Sequence, residues 1–189
     1  MRNLHQTTLI VSTIAGSWLG MQAVHELGHV VGAYATGGRV ARVVLHPLRL
    51  SRTDLAQNPR PLVVAWAGPL GGVLGPLGLW GIAAVRRGDW AFLPRFFAGF
   101  CAVANGAYIG CGAFARIGDA QQLRQHGAPV PLLAGFGIVC VALGLWLWHG
   151  QGRHFGLGPN RNEVRPGMAY ASASVCAGLI LLGIIVDGA

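Results

Sequence analysis

Residues 8–38 read TLIVSTIAGSWLGMQAVHELGHVVGAYATGG, and this stretch decides how the chain is to be understood. Thr8 to Ala35 is an apolar run long enough to cross a ~30 Å hydrocarbon core at ~1.5 Å per helical residue, and Gly37-Gly38 ends it. Within it lies His25-Glu26-Leu27-Gly28-His29, three ionisable side chains in five residues. Such groups are costly inside a membrane and ordinarily face a partner, a metal or a water-filled cavity.

Four further apolar stretches follow: Pro61 to Val85, Phe92 to Ile117, Val130 to Trp148 and Met168 to Val186. The expected fold is therefore an all-α polytopic membrane protein. The third stretch carries Gly106, Gly110, Gly112 and Gly118, which would allow it to divide, so the expected count is five to six transmembrane helices. Composition agrees, with 53% of the 189 residues hydrophobic and 11% charged. A soluble domain of this length needs a far more charged surface. The net charge of +8 comes from arginine alone and lies mainly between the apolar stretches, where membrane proteins hold their loops at the headgroups. No basic cluster is interleaved with aromatics on a polar element, so no nucleic acid is expected as a partner.

Between the first two spans, Arg39 to Leu45 partly alternates in polarity, which predicts a short strand or β-hairpin at the membrane face. The N-terminal run reaches the histidine motif without a small-residue cleavage site and is read as an uncleaved first span. Arg2 on one side of that span stands against Arg39, Arg42, Arg49, Arg52 and Arg60 on the other, which favours a cytoplasmic loop after it. Cys101, Cys111, Cys140 and Cys176 lie in apolar sequence without the spacing of a structural zinc site and read as small core residues.

On a helix, His25 and His29 at i and i+4 project from one face and can bind one Zn²⁺ through imidazole nitrogens. Glu26 beside them is a general base for a water that the metal has made more acidic, chemistry suited to hydrolysing an amide. The motif midpoint is about ten residues from Gly37, or ~15 Å below that surface, so the substrate is expected to be another membrane-embedded segment. Catalytic zinc takes three protein ligands. An antiparallel order of spans brings the end of the third stretch back to the side where the first ends, which makes Asp119 the expected third ligand. The alternative role for Asp119 is an ion pair with Arg116 or Arg124, and both could hold. Asp54 and Asp89 sit in arginine-bearing loops, and His46, His126, His149 and His154 near span boundaries, as solvated or interfacial groups.

These residues resemble the site-2 protease family of intramembrane zinc metallopeptidases, and in particular its small, membrane-only bacterial members. The likeness rests on His25-Glu26-Leu27-Gly28-His29 in a span followed by a strand-like stretch to His46, on Ala67-Gly68-Pro69-Leu70 in the next span, and on Gly118-Asp119-Ala120 where the family has Leu-Asp-Gly. It covers about the first two thirds of the chain. Members usually have an asparagine and prolines shortly before the aspartate, whereas here Asn105 is farther away and Tyr108 to Ile117 has no proline. The resemblance implies that the Gly-Pro segment packs against the motif helix near the metal, besides the kink and close packing those residues allow in any span. It implies one zinc per chain held by His25, His29 and Asp119, with Glu26 catalytic, and a multi-pass protein of the bacterial cytoplasmic membrane. On this reading residues 1–189 form a single metallopeptidase domain, with a metal-site core over about 7–127 and accessory spans over about 129–189, acting on a membrane-spanning protein. Two alternatives stand beside it: a catalytically silent zinc-binding protein of the same fold, and a metal transporter. Nothing in the sequence specifies an oligomeric state.

Overall fold

A computed structural model describes residues 2–159 and 161–188. A long helix α1 (Arg2–Ala35) leads into strands β1 (Arg39–Val44) and β2 (Arg52–Gln57). Helices α2 (Pro61–Val85), α3 (Phe92–Ala115), α4 (Gly118–Gln125) and α5 (Val130–Trp148) follow, then a 3-10 turn (Gln151–Phe155) and α6 (Pro166–Gly188). Five of the helices, all but α4, are long and apolar enough to cross a membrane. Their outward side chains are large hydrocarbons: Leu74, Ile82, Phe114, Ile138 and Ile185 are 58–71% exposed. A belt of this kind would associate in water but is at home among lipid tails. The chain is a multi-pass membrane protein with a short two-stranded hairpin after its first span, as the apolar stretches and the alternation after Gly38 predict.

Helix α1 packs against α2, α6 and α3, so the helix bearing the motif runs through the middle of the bundle. The third apolar stretch does not divide within the span. Gly106 and Gly110 remain helical because they face Gly137 of α5, where the two backbones touch, and small residues at such crossings replace side-chain bulk with close contact. The chain breaks after Ala115 instead. Arg116 takes the left-handed conformation (φ 58°), Ile117 is extended, and α4 turns back along the bundle.

The hairpin pairs Val40 with Leu55, Arg42 with Asp54 and Val43 with Thr53 in antiparallel register. Buried Val44 roots it in the protein. Gln22 of α1 accepts the Ser51 N–H at 3.1 Å, and Asp187 of α6 accepts from Arg42 and Arg49, each at 3.3 Å. The hairpin is thus tied to the first and last spans and cannot drift from the motif.

Helix α4 is too short to hold itself and depends on its buried face. Ala120 and Leu123, both fully buried, join Ala65 of α2, Ile109 and Ala113 of α3 and Leu133 of α5 in one apolar cluster. Leu123→Ala should therefore destabilise the protein by about 2–5 kcal/mol, the range for emptying a packed leucine site. Ile138→Ala, at a position facing outward, should change thermal unfolding in detergent by much less. Equal shifts in melting temperature for the two variants would contradict this placement of α4.

Candidate metal centre

The sequence supplies two imidazoles on one face of α1, and the fold brings Asp119 of α4 to meet them. His25 Nε2 lies 2.9 Å and His29 Nε2 3.2 Å from Asp119 Oδ2, and the two Nε2 atoms are 3.1 Å apart. His25 and His29 are each 8% exposed. The expected trio is assembled, and among the described residues it is the group of histidine, cysteine and carboxylate side chains close enough to hold one ion. The ion pairs proposed for Asp119 with Arg116 or Arg124 are not formed: the carboxylate faces the histidines, and Arg124 donates to the Ala113 carbonyl.

The hydrogen bonds behind the imidazoles fix which nitrogens carry protons. Asn105 donates through Nδ2 to the Cys101 carbonyl at 2.9 Å, which orients its amide, so Oδ1 is the acceptor facing His25 Nδ1 at 2.7 Å. His29 Nδ1 donates to the Val64 carbonyl at 2.8 Å. With both Nδ1 atoms protonated, each neutral ring presents an Nε2 lone pair toward the other and toward a carboxylate oxygen. Three lone-pair-bearing atoms in one small triangle repel unless positive charge lies among them. One proton on either Nε2 would bridge that ring to Asp119, whereas protons on both would crowd two N–H groups together at 3.1 Å. A metal ion also fits, since tetrahedral coordination at ~2.0–2.1 Å sets ligand atoms ~3.3 Å apart.

Each neighbouring element contributes one piece of this geometry. Pro69 inside α2 has no N–H for the Ala65 carbonyl one turn back, next to the Val64 carbonyl that accepts from His29. Gly68 is required, because a side chain there would overlap the His29 ring, and Gly28 of α1 likewise lies directly on the Ala67 backbone. The Ala-Gly-Pro-Leu segment thus packs against the motif helix at the histidines.

Glu26 does not join the ligands. It is 3% exposed and accepts a hydrogen bond from the Thr53 hydroxyl of β2 at 2.7 Å. Glu26, His25, His29 and Asp119 share the lining of one cavity of about 620 Å³, closed on one side by β2. A larger cavity of about 1020 Å³ lies elsewhere, between His5, Asp89, Arg95 and Arg165, and has no set of metal-ligating groups among the described residues. The other candidates do not join the ligands, although Asp54 lines the same cavity. Asp54 pairs with Arg52, Asp89 with Arg165, His126 bonds the Gln122 carbonyl, and His154 stacks on Phe92. Burial, then the nearby charges of Arg153 and Arg95, push the His154 pKa down.

Sequence reasoning missed Asn105, Val64 and Thr53 as the groups orienting the three motif side chains. Asn105 carried a signal, as a polar amide within a span. A backbone carbonyl and a hairpin threonine carry none. No family model, curated protein or solved structure matches the chain.

Elemental analysis of purified protein should find about one zinc per chain, lost in His25→Ala and Asp119→Asn and kept in Asp54→Asn and Asp89→Asn. Asn105→Ala should weaken zinc affinity by about 10- to 100-fold, as removal of a group that orients a metal-bound histidine does. Metal retained by Asp119→Asn and lost by the loop variants would refute the assignment.

Proposed function

We propose that this protein is an intramembrane zinc metallopeptidase of the site-2 protease type, hydrolysing a peptide bond in a membrane-embedded segment of another protein. The observation that carries the reading is the separation of tasks within one helical turn. His25 and His29 converge with Asp119, while buried Glu26 opens on the same cavity with Thr53 and not a ligand as its partner. A carboxylate so placed is suited to act as a base.

Zinc bound by the trio would acidify water and polarise the scissile carbonyl. Glu26 accepts a proton from the attacking water as its oxygen bonds to the carbonyl carbon. Glu26 then passes that proton to the amide nitrogen as the C–N bond breaks, leaving a carboxylic acid and an amine. Thr53 holds the carboxylate on the water's side. The cavity lies against spans α1, α2 and α3, about 10–15 Å along α1 from its end at the hairpin, which favours a substrate already in the membrane. The arginine distribution across the first span favours a cytoplasmic hairpin, and the resemblance points to a bacterial cytoplasmic membrane.

Glu26→Gln keeps the size of the side chain but cannot take up the proton. It should retain zinc and lose cleavage of single-span peptides by at least 100-fold, the scale of general-base catalysis. A transporter would instead carry zinc into proteoliposomes and cleave nothing, and a silent binder would do neither. Undiminished cleavage by Glu26→Gln, with a His25→Ala, His29→Ala double variant inactive as control, would refute the mechanism.

A further inference from the structure

The cavity holds one more group poised for the reaction. Tyr108 of α3 stands next to the ligands, its ring edge-on to that of His25 with centroids 5.9 Å apart, and it lines the cavity that holds Glu26. Its hydroxyl oxygen accepts the Asp119 backbone N–H at 3.1 Å. That N–H belongs to the first turn of α4 and has no partner within the helix. A phenol that accepts one hydrogen bond still has its own hydrogen to give, and among the described residues nothing accepts it. Of the other donors lining the cavity, the Thr53 hydroxyl is committed to Glu26 and Arg52 bonds Asp54 through Nε alone; Tyr108 is set apart by its ring contact with His25 and its bond to Asp119.

The chain also makes room for this hydroxyl. Gly118 has φ +52°, and a β-carbon there would fall on the Tyr108 oxygen. The residue before Asp119 must therefore lack a side chain if the phenol is to stay against the ligands. A helix cap for α4 could have come from a short side chain at Ile117, the usual source of such a cap, with no need of a tyrosine from another span.

Resting on the peptidase reading above, we infer that Tyr108 is a catalytic residue whose O–H donates to the carbonyl oxygen of the scissile peptide as that oxygen gains negative charge. The proton is not transferred; the hydrogen bond strengthens as charge builds and is worth most in a site shielded from water. Its ligand is thus the oxygen of a peptide carbonyl on its way to a tetrahedral anion.

The test compares wild type, Tyr108→Phe, and protein with 4-aminophenylalanine at this position, which restores an N–H donor but is a poor acceptor for Asp119. Zinc content, kcat and KM on a cleaved single-span peptide, and affinity for a phosphinic analogue of that peptide are measured for each. Tyr108→Phe should keep one zinc and a KM within about twofold, while kcat falls about 100-fold, as for loss of one oxyanion donor. Affinity for the phosphinic analogue should fall in parallel, because its tetrahedral anion resembles the transition state. The 4-aminophenylalanine protein should recover at least tenfold of the lost kcat. Unchanged kcat in Tyr108→Phe, loss of its zinc or its fold, unchanged analogue affinity, or absence of rescue would each overturn the inference and leave the peptidase reading standing. A wild type that binds zinc but cleaves no peptide overturns both.

Discussion

Hydrocarbon offers no partner to a polar atom, so two imidazoles and a carboxylate on a transmembrane helix can persist only if neighbouring segments satisfy every donor and acceptor they carry. The fold around α1 meets this demand at both Nδ1 atoms and at one oxygen of Glu26. Asn105 takes the His25 Nδ1–H, the Val64 carbonyl takes that of His29, and Thr53 donates to Glu26. What remains unmatched is the cluster of Nε2 lone pairs and Asp119 oxygen, which point at one another. An uncompensated arrangement of that kind is costly, and a cation at its centre would convert the cost into binding energy.

Much of the architecture follows from holding this arrangement. Small residues at Gly28 and Gly68 let α1 and α2 approach within the reach of a ring, and the left-handed Arg116 starts the reversal that returns Asp119 to the bundle. Apolar burial of Ala120 and Leu123 then fixes α4, and through it the carboxylate. The polar hairpin, tied to α1 and α6, supplies the remaining wall of the cavity and the hydroxyl that keeps Glu26 apart from the ligands.

The spans and the motif were legible because their signals are local. An apolar run of membrane length, an i, i+4 pair of histidines and an alternating stretch after a glycine pair each depend on neighbours in sequence. Asp119 was reached by a weaker route, from the antiparallel order of the helices and from the likeness of Gly118-Asp119-Ala120 to a family motif. The integrity of α3 was not legible, because its glycines are stabilised by a crossing with α5 that no local pattern encodes. The same holds for Val64, Thr53 and Tyr108, whose roles come from where the helices cross and from a backbone that needs glycine at 118.

The claim on which the chemistry rests is that the triangle of His25, His29 and Asp119 is built around a metal ion. X-ray absorption at the zinc edge, on protein purified without chelators, reads that coordination shell directly. The expected spectrum is that of one zinc with two imidazole nitrogens at ~2.0–2.1 Å and oxygen donors completing a four-coordinate shell. A sulfur-containing shell, or protein that holds no zinc after equilibration with it, would contradict the claim.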